Sequence, residues 1–190
     1  AFQEQHIQYL DFTQTPHYAI YGAPLSGKTT LLKTIVTGLG LFFSPAEVNI
    51  NILDFGGGSL NVFESMPHVT NVIRDGEDDR IKKLMEWTDK EIQIRKNCFR
   101  KEKVSNFSQY FAKKKNMPAL FLVIDNQLRF SSLVDFADRF LTDLSMTGPD
   151  CGIHIIFTSN NANKTSMNIQ ANIGGNIALH MADRNDYRSV

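Results

Sequence analysis

The residues Gly22-Ala23-Pro24-Leu25-Ser26-Gly27-Lys28-Thr29 match the pattern G-x-x-x-x-G-K-[ST] in full. This spacing suits the capture of nucleotide phosphates. The glycines let the backbone turn sharply and approach an anion without a Cβ in the way. Successive N–H groups of such a loop point inward as a nest, and the following helix, from Lys28 through Thr30, adds the positive end of its dipole. Lys28 is expected to reach the β- and γ-phosphates, and the Thr29 hydroxyl to ligate Mg²⁺. With glycine near ~7% of residues, a chance match in a chain of this length is roughly a one-in-a-hundred event.

A second candidate is Asp125, which follows the apolar run Ala119 to Ile124. A carboxylate at the tip of such a buried strand can hold Mg²⁺ beside the phosphate loop, directly or through water. The plainer alternative is an Asp that starts a turn. Many ATPases of this kind place Glu immediately after that Asp to activate the attacking water. Here the position holds Asn126. A carboxamide can orient a water but cannot take its proton at neutral pH. Loss of a general base costs ~10²–10⁴ in rate, so slow or absent hydrolysis is expected. Thr158 and Asn160, after a further apolar run, are candidate γ-phosphate sensors, and an ordinary strand-to-loop turn explains them equally well.

These groups need a scaffold. Apolar runs at His17–Tyr21, Val48–Phe55, Val69–Ile73, Ala119–Ile124, Gly152–Phe157 and Asn176–His180 read as strands. Helical periodicity falls at Lys28–Leu39, with Gly40 as its cap, at about Glu77–Arg100, at Ser105–Phe111 and at Leu133–Leu144, ended by Gly148-Pro149. Near-continuous apolar strands separated by helices predict an α/β, RecA-like P-loop NTPase fold. Its mostly parallel central sheet has helices on both faces. Ligands of such folds bind beyond the strands' carboxyl ends. No linker divides the chain, so residues 1–190 read as a single domain.

Composition narrows the function. Twenty basic and twenty acidic residues leave a net charge of zero, which weighs against nucleic acid as the main partner. The cluster Arg95, Lys96, Arg100, Lys101, Lys103 and Lys113–Lys115 reads as a solvated helix face. Arg184 and Arg188 could serve a neighbouring subunit's site. Cys98 and Cys151 have no metal-ligand spacing and read as reduced thiols, as do His68, His154 and His180 as non-ligands. Asp54-Phe55-Gly56 reads as a strand end and glycine turn. Ala1-Phe2-Gln3-Glu4 lacks a signal-peptide pattern, and both ends read as cuts within a longer protein.

Several segments together resemble the FtsK/SpoIIIE-type ATPase modules of the type VII secretion ATPase, the EssC/EccC family. They are Pro16–Gly22 running into the phosphate loop, Leu53–Gly57, Leu122–Asn126, Gly152–His154 before Thr158, and Ala178–Asp183 before Asp186-Tyr187-Arg188. The resemblance implies a cytoplasmic module of a membrane-anchored bacterial motor that binds ATP with Mg²⁺. It implies neighbouring modules in the same chain, a hexamer, and secreted WXG100-type proteins as cargo, with membrane contact only through other parts of the protein. Asp125-Asn126 in place of Asp-Glu implies a later module, second or third, that is regulatory or docks substrate. Two rivals are a DNA-translocating motor of the same superfamily and an assembly module that has lost nucleotide binding.

Overall fold

The computed structural model describes residues 9–189; the Ala1–Glu4 segment lies outside them. Six strands form one sheet: β1 Tyr18–Tyr21, β2 Val48–Asp54, β3 Val69–Arg74, β4 Ala119–Asp125, β5 Ile153–Ser159 and β6 Gly175–Ala178. Their order is β3-β2-β4-β5-β1-β6, and every pairing is parallel. The expected α/β architecture is thus observed. β1 and β5 are buried along their whole length, as central parallel strands covered on both faces must be.

Helix α1, Lys28–Phe42, covers one face. Its Leu32, Ile35, Val36 and Leu39 recur at helical spacing and pack on Ile20, Ile50, Ile52, Val123 and Ile156. Leu32 is fully buried; its truncation to Ala would cost about 2–5 kcal/mol. The other face carries α2 Asp78–Glu102, α3 Phe107–Lys114, α4 Gln127–Leu133, α5 Ala137–Thr147 and the single turn α6 Met167–Gln170. Ile81, Leu84, Ile92, Phe130, Leu141 and Ile169 from these helices close the larger core.

Three expectations are corrected. Gly40 does not cap α1, which continues to Phe42 and is capped by Phe43. A Cβ at Gly40 would displace the terminal methyl of Met66, which packs close over it. The helix expected at Leu133–Leu144 starts only at Ala137 and runs to Thr147; Leu133 ends the separate α4, and Phe136, with a left-handed φ of 65°, precedes α5. Arg95 is no member of a solvated face. It is fully buried, and its guanidinium donates to Cys151 O, Pro118 O and Glu91 Oε1 at 2.8–2.9 Å. With three acceptors it pins α2 to the start of β4 and the turn before β5. A buried charge is tolerated only when partnered in this way.

Two histidines tie the start of β1 to β5. Ile155 N–H donates to His17 Nδ1 at 3.0 Å, so Nε2 carries the proton and donates to Ser145 O, also at 3.0 Å. His154 Nδ1 donates to Pro16 O at 3.0 Å. Burial pushes both imidazoles down from an ordinary 6.5 to about 4. Each is therefore neutral when folded but takes a proton near pH 6.5 when unfolded. Their contribution is complete above pH 6.5 and is lost as pH falls from there toward 4. The expected loss is about 1.4 kcal/mol per histidine per pH unit inside that window. Urea unfolding at pH 7.5 and pH 5 measures it: the midpoint should drop at pH 5, and a flat profile would contradict the assignment.

Candidate nucleotide site

The sheet order decides the geometry of the site. β5 lies between β1, which feeds the phosphate loop, and β4, which ends in Asp125. The tip of β5 therefore falls between the loop and the acid. Thr158 sits there, fully buried, one residue before the end of β5 rather than after it.

The loop is folded as a cradle. Lys28 Nζ donates to Gly22 O and Ala23 O, both at 2.8 Å. An ammonium has three donors, so one N–H remains for a ligand. Burial lowers the Lys28 pKa, and the charge of Asp125 partly offsets this. Gly27 has φ 95°, and the first α-type bond of α1 runs from Leu31 N to Gly27 O at 2.9 Å. The N–H groups of Lys28, Thr29 and Thr30 lie in the first turn of α1, where N–H groups have no acceptor within the helix. Ser26 Oγ is buried and has no hydrogen-bond partner among the described residues. An unpartnered hydroxyl, a spare ammonium hydrogen and the N–H groups of a helix start suit a phosphate anion. Ala23 is half-buried and Pro24 exposed. Leu25, fully exposed, takes φ 63° where a glycine would be unstrained.

The loop is latched from the strands. Gly22 N donates to Ser159 O at 3.3 Å, and Ala23 N to His180 O at 2.7 Å. The Thr29 hydroxyl donates to Asp125 Oδ2 at 2.8 Å, and the Thr158 hydroxyl to Asp125 Oδ1 at 2.6 Å. Asn126 N in turn donates to Thr158 Oγ1 at 2.7 Å. Thr158 therefore braces the carboxylate, with its hydroxyl already engaged, instead of facing open space. Asn160 is exposed beyond the strand end. Thr29 and Asp125 offer hard oxygen donors within one hydrogen bond of each other, the donor chemistry Mg²⁺ requires. Among the described residues no cluster of three or more His, Cys, Asp or Glu could hold a metal.

Asn126 has φ 66° and ψ 69° and caps α4, its Oδ1 accepting from Arg129 N at 3.3 Å. Asparagine tolerates this left-handed conformation better than most residues. Sequence reasoning missed one neighbour. β2 and β4 are in register at Asp54 and Asp125, which brings Gly56 against the acid, where any side chain would strike Asp125 Oδ2. Asp54 itself is structural: its carboxylate accepts from the N–H groups of Gly56, Gly58 and Leu60 at 2.8–3.1 Å. The three glycines after β2 were the one available signal. Arg188 is exposed, and the Arg184 side chain lies outside the described residues.

A phosphate loop on β1, an acid on β4 and an intervening strand on a parallel sheet define a RecA-like P-loop ATPase fold. The chain belongs to the FtsK/SpoIIIE family, whose model matches residues 2–190. Among curated proteins it is 28% identical to the ESX secretion system protein EccC of Thermomonospora curvata, over 88% of this chain and 13% of that one. It is 26% identical to the type VII secretion system protein EssC of Staphylococcus aureus, over 99% of this chain and 13% of that one. The solved structure of Thermomonospora curvata EccC ATPases 2 and 3 in complex with a signal sequence peptide superposes with a TM-score of 0.89. That alignment is 28% identical and covers 96% of this chain and 34% of the other. The chain thus spans about an eighth of the first of these relatives' length. No helix among the described residues is long and apolar enough to cross a membrane.

Thr158→Val removes the brace on Asp125 while keeping the side-chain shape. It should weaken Mg²⁺-dependent nucleotide binding by about 10- to 100-fold, as loss of a group that orients a metal ligand does. Thr158→Ser should restore it. Equal affinity of the valine variant and the wild type in a calorimetric titration would remove Thr158 from the site.

Proposed function

We propose that the chain is a nucleotide-binding module of a type VII protein-secretion motor, one domain of a longer protein, holding ATP with Mg²⁺ and hydrolysing it slowly. The observation that carries this reading is the preformed cradle: Lys28 held by two carbonyls of the loop, with Ser26 Oγ unpartnered beneath it. Gly22, Ala23, Pro24, Leu25, Ser26, Gly27, Lys28, Thr29 and Thr30 are assigned to the phosphates, and Thr29 with Asp125 to Mg²⁺. Bound ATP with Mg²⁺ would supply a phosphoanhydride polarised for attack by water.

The chain's own groups explain why attack would be slow. Lys28 and the helix start neutralise phosphate charge. Asp125 holds the metal side, braced by Thr29 and Thr158. The next residue is a carboxamide committed to capping α4, so no group beside Asp125 accepts the water's proton. Asn160 remains the candidate sensor.

A regulatory or substrate-docking role within a motor follows from slow hydrolysis beside intact binding groups. The likeness to second and third ATPase modules of EccC supports a later position in the full chain. The partners would be neighbouring modules of the same protein, a hexamer, and secreted WXG100-type proteins. Membrane attachment would come from other segments, leaving this module cytoplasmic. Zero net charge disfavours the DNA-translocating alternative. The free cradle groups disfavour an assembly module without nucleotide.

Calorimetry with ATP and Mg²⁺, beside Lys28→Ala, tests the proposal. Wild type should bind and the variant should not, with phosphate release ~10²–10⁴ slower than in a motor that retains its base. Brisk hydrolysis by wild type would sink the slow-site reading. Failure of wild type to bind at millimolar ATP would favour the assembly module.

A further inference from the structure

The loop after β2 is built against Asp125 and is held by a second buried acid. Asp54 and Asp125 are register partners at the ends of β2 and β4, and both are nearly fully buried. Buried carboxylates need hydrogen-bond donors, and these two take them from different places. Asp125 accepts the hydroxyls of Thr29 and Thr158. Asp54 holds backbone instead: Oδ1 accepts from Gly56 N and Gly58 N, both at 3.1 Å, and Oδ2 from Leu60 N at 2.8 Å. Phe55, between Asp54 and Gly56, is clamped as well. Its N–H donates to Asp125 O at 3.1 Å, and its ring meets Phe130 of α4 edge-on at 5.3 Å.

Gly56 is where the two acids meet. Gly57 and Gly58 have φ of 116° and 80°, a conformation that requires glycine. The φ of Gly56 lies outside that range, so its conformation suits any residue. It is a glycine for space: a Cβ there would overlap Oδ2 and Cγ of Asp125. The overlap has no easy relief. The aspartate side chain is short, and moving it breaks the bond to Thr29 or to Thr158. The oxygen that Gly56 approaches most closely, Oδ2, is also the one that Thr29 holds. Gly56 therefore bounds the carboxylate on one side, and Asp54 fixes Gly56 through its N–H.

We infer that Asp54 is a positioning residue for Mg²⁺: through Gly56 it sets the wall that keeps the Asp125 carboxylate aligned with Thr29, and the missing side chain at Gly56 leaves room for that alignment. The inference rests on the assignment of Thr29 and Asp125 to the metal. Lys28 is held from elsewhere, by Gly22 O and Ala23 O, so the influence of Asp54 falls on the metal-dependent part of nucleotide affinity alone. A residue that only stabilised the loop would affect affinity with and without metal to the same degree.

Titrating a fluorescent ATP analogue in Mg²⁺ and again in EDTA separates the two roles. Wild type should bind more tightly in Mg²⁺. Asp54→Asn keeps the shape but turns one acceptor into a donor, so at least one of the three N–H groups loses its partner. It should lose about tenfold in Mg²⁺ and keep its affinity in EDTA. Gly56→Ala, which the backbone conformation allows, should lose about 10- to 100-fold in Mg²⁺ alone. Lys28→Ala should lose affinity in both buffers, the pattern of a damaged cradle. If Asp54→Asn fails to fold, as urea unfolding will show, Gly56→Ala decides. Equal losses in the two buffers, or no loss in Gly56→Ala, overturn the positioning role and leave the nucleotide site standing. Wild type that binds equally well in EDTA overturns it together with the metal assignment. Wild type that binds in neither buffer overturns the nucleotide reading as well.

Discussion

Everything around the candidate site depends on the carboxylate of Asp125. It is nearly fully buried, and each oxygen accepts one hydroxyl, Thr29 from the helix after the phosphate loop and Thr158 from the intervening strand. A buried carboxylate without partners would be too costly to keep charged. With two charge-assisted bonds it becomes the node that fixes α1, β4 and β5 relative to each other at their functional ends. The same node forces the neighbouring loop to be glycine, because Gly56 passes where a Cβ would meet Oδ2. Asp54 then holds that loop in place through three backbone N–H groups. One acid thus dictates the bonding or the identity of a residue on α1, a residue on β5 and a residue of the loop after β2.

The framework was largely legible because its signals are strong. Continuous apolar runs such as Ala119–Ile124 can only be buried strands when they are this short and flanked by polar turns. The phosphate loop announces both the strand before it and the helix after it. What was not legible depended on tertiary contact. Gly40 looked like a cap, and only the fold shows that α1 continues past it to Phe42, with the end of Met66 packed over it. Arg95 looked like one more exposed base on a long charged helix. Its burial follows from where Cys151 and Pro118 place their carbonyls, which are 56 and 23 residues away. The break at Phe136 required a left-handed phenylalanine, which residue propensity argues against. The contact of Gly56 with Asp125 is set by strand register, which no local pattern encodes.

Asn126 connects chemistry to backbone. In sequence it reads as the loss of a catalytic base, a statement about proton transfer alone. In the fold the residue occupies a left-handed position, caps α4 through its carboxamide and donates its N–H to Thr158. Those are structural duties that asparagine performs well, with its tolerance of positive φ and its short acceptor side chain. The additional γ-methylene of a glutamate would serve the cap less well, and its carboxylate would place a second negative charge beside Asp125. The residue that reads as the missing base is therefore also one that caps the strand-to-helix turn. Binding groups and catalytic group are separable in this architecture. The cradle is built from α1 and the backbone of its loop, whereas the base would have to come from the start of α4. A site can keep the first and give up the second without disturbing the latch between Thr29, Asp125 and Thr158, which is the arrangement a nucleotide-sensing module needs.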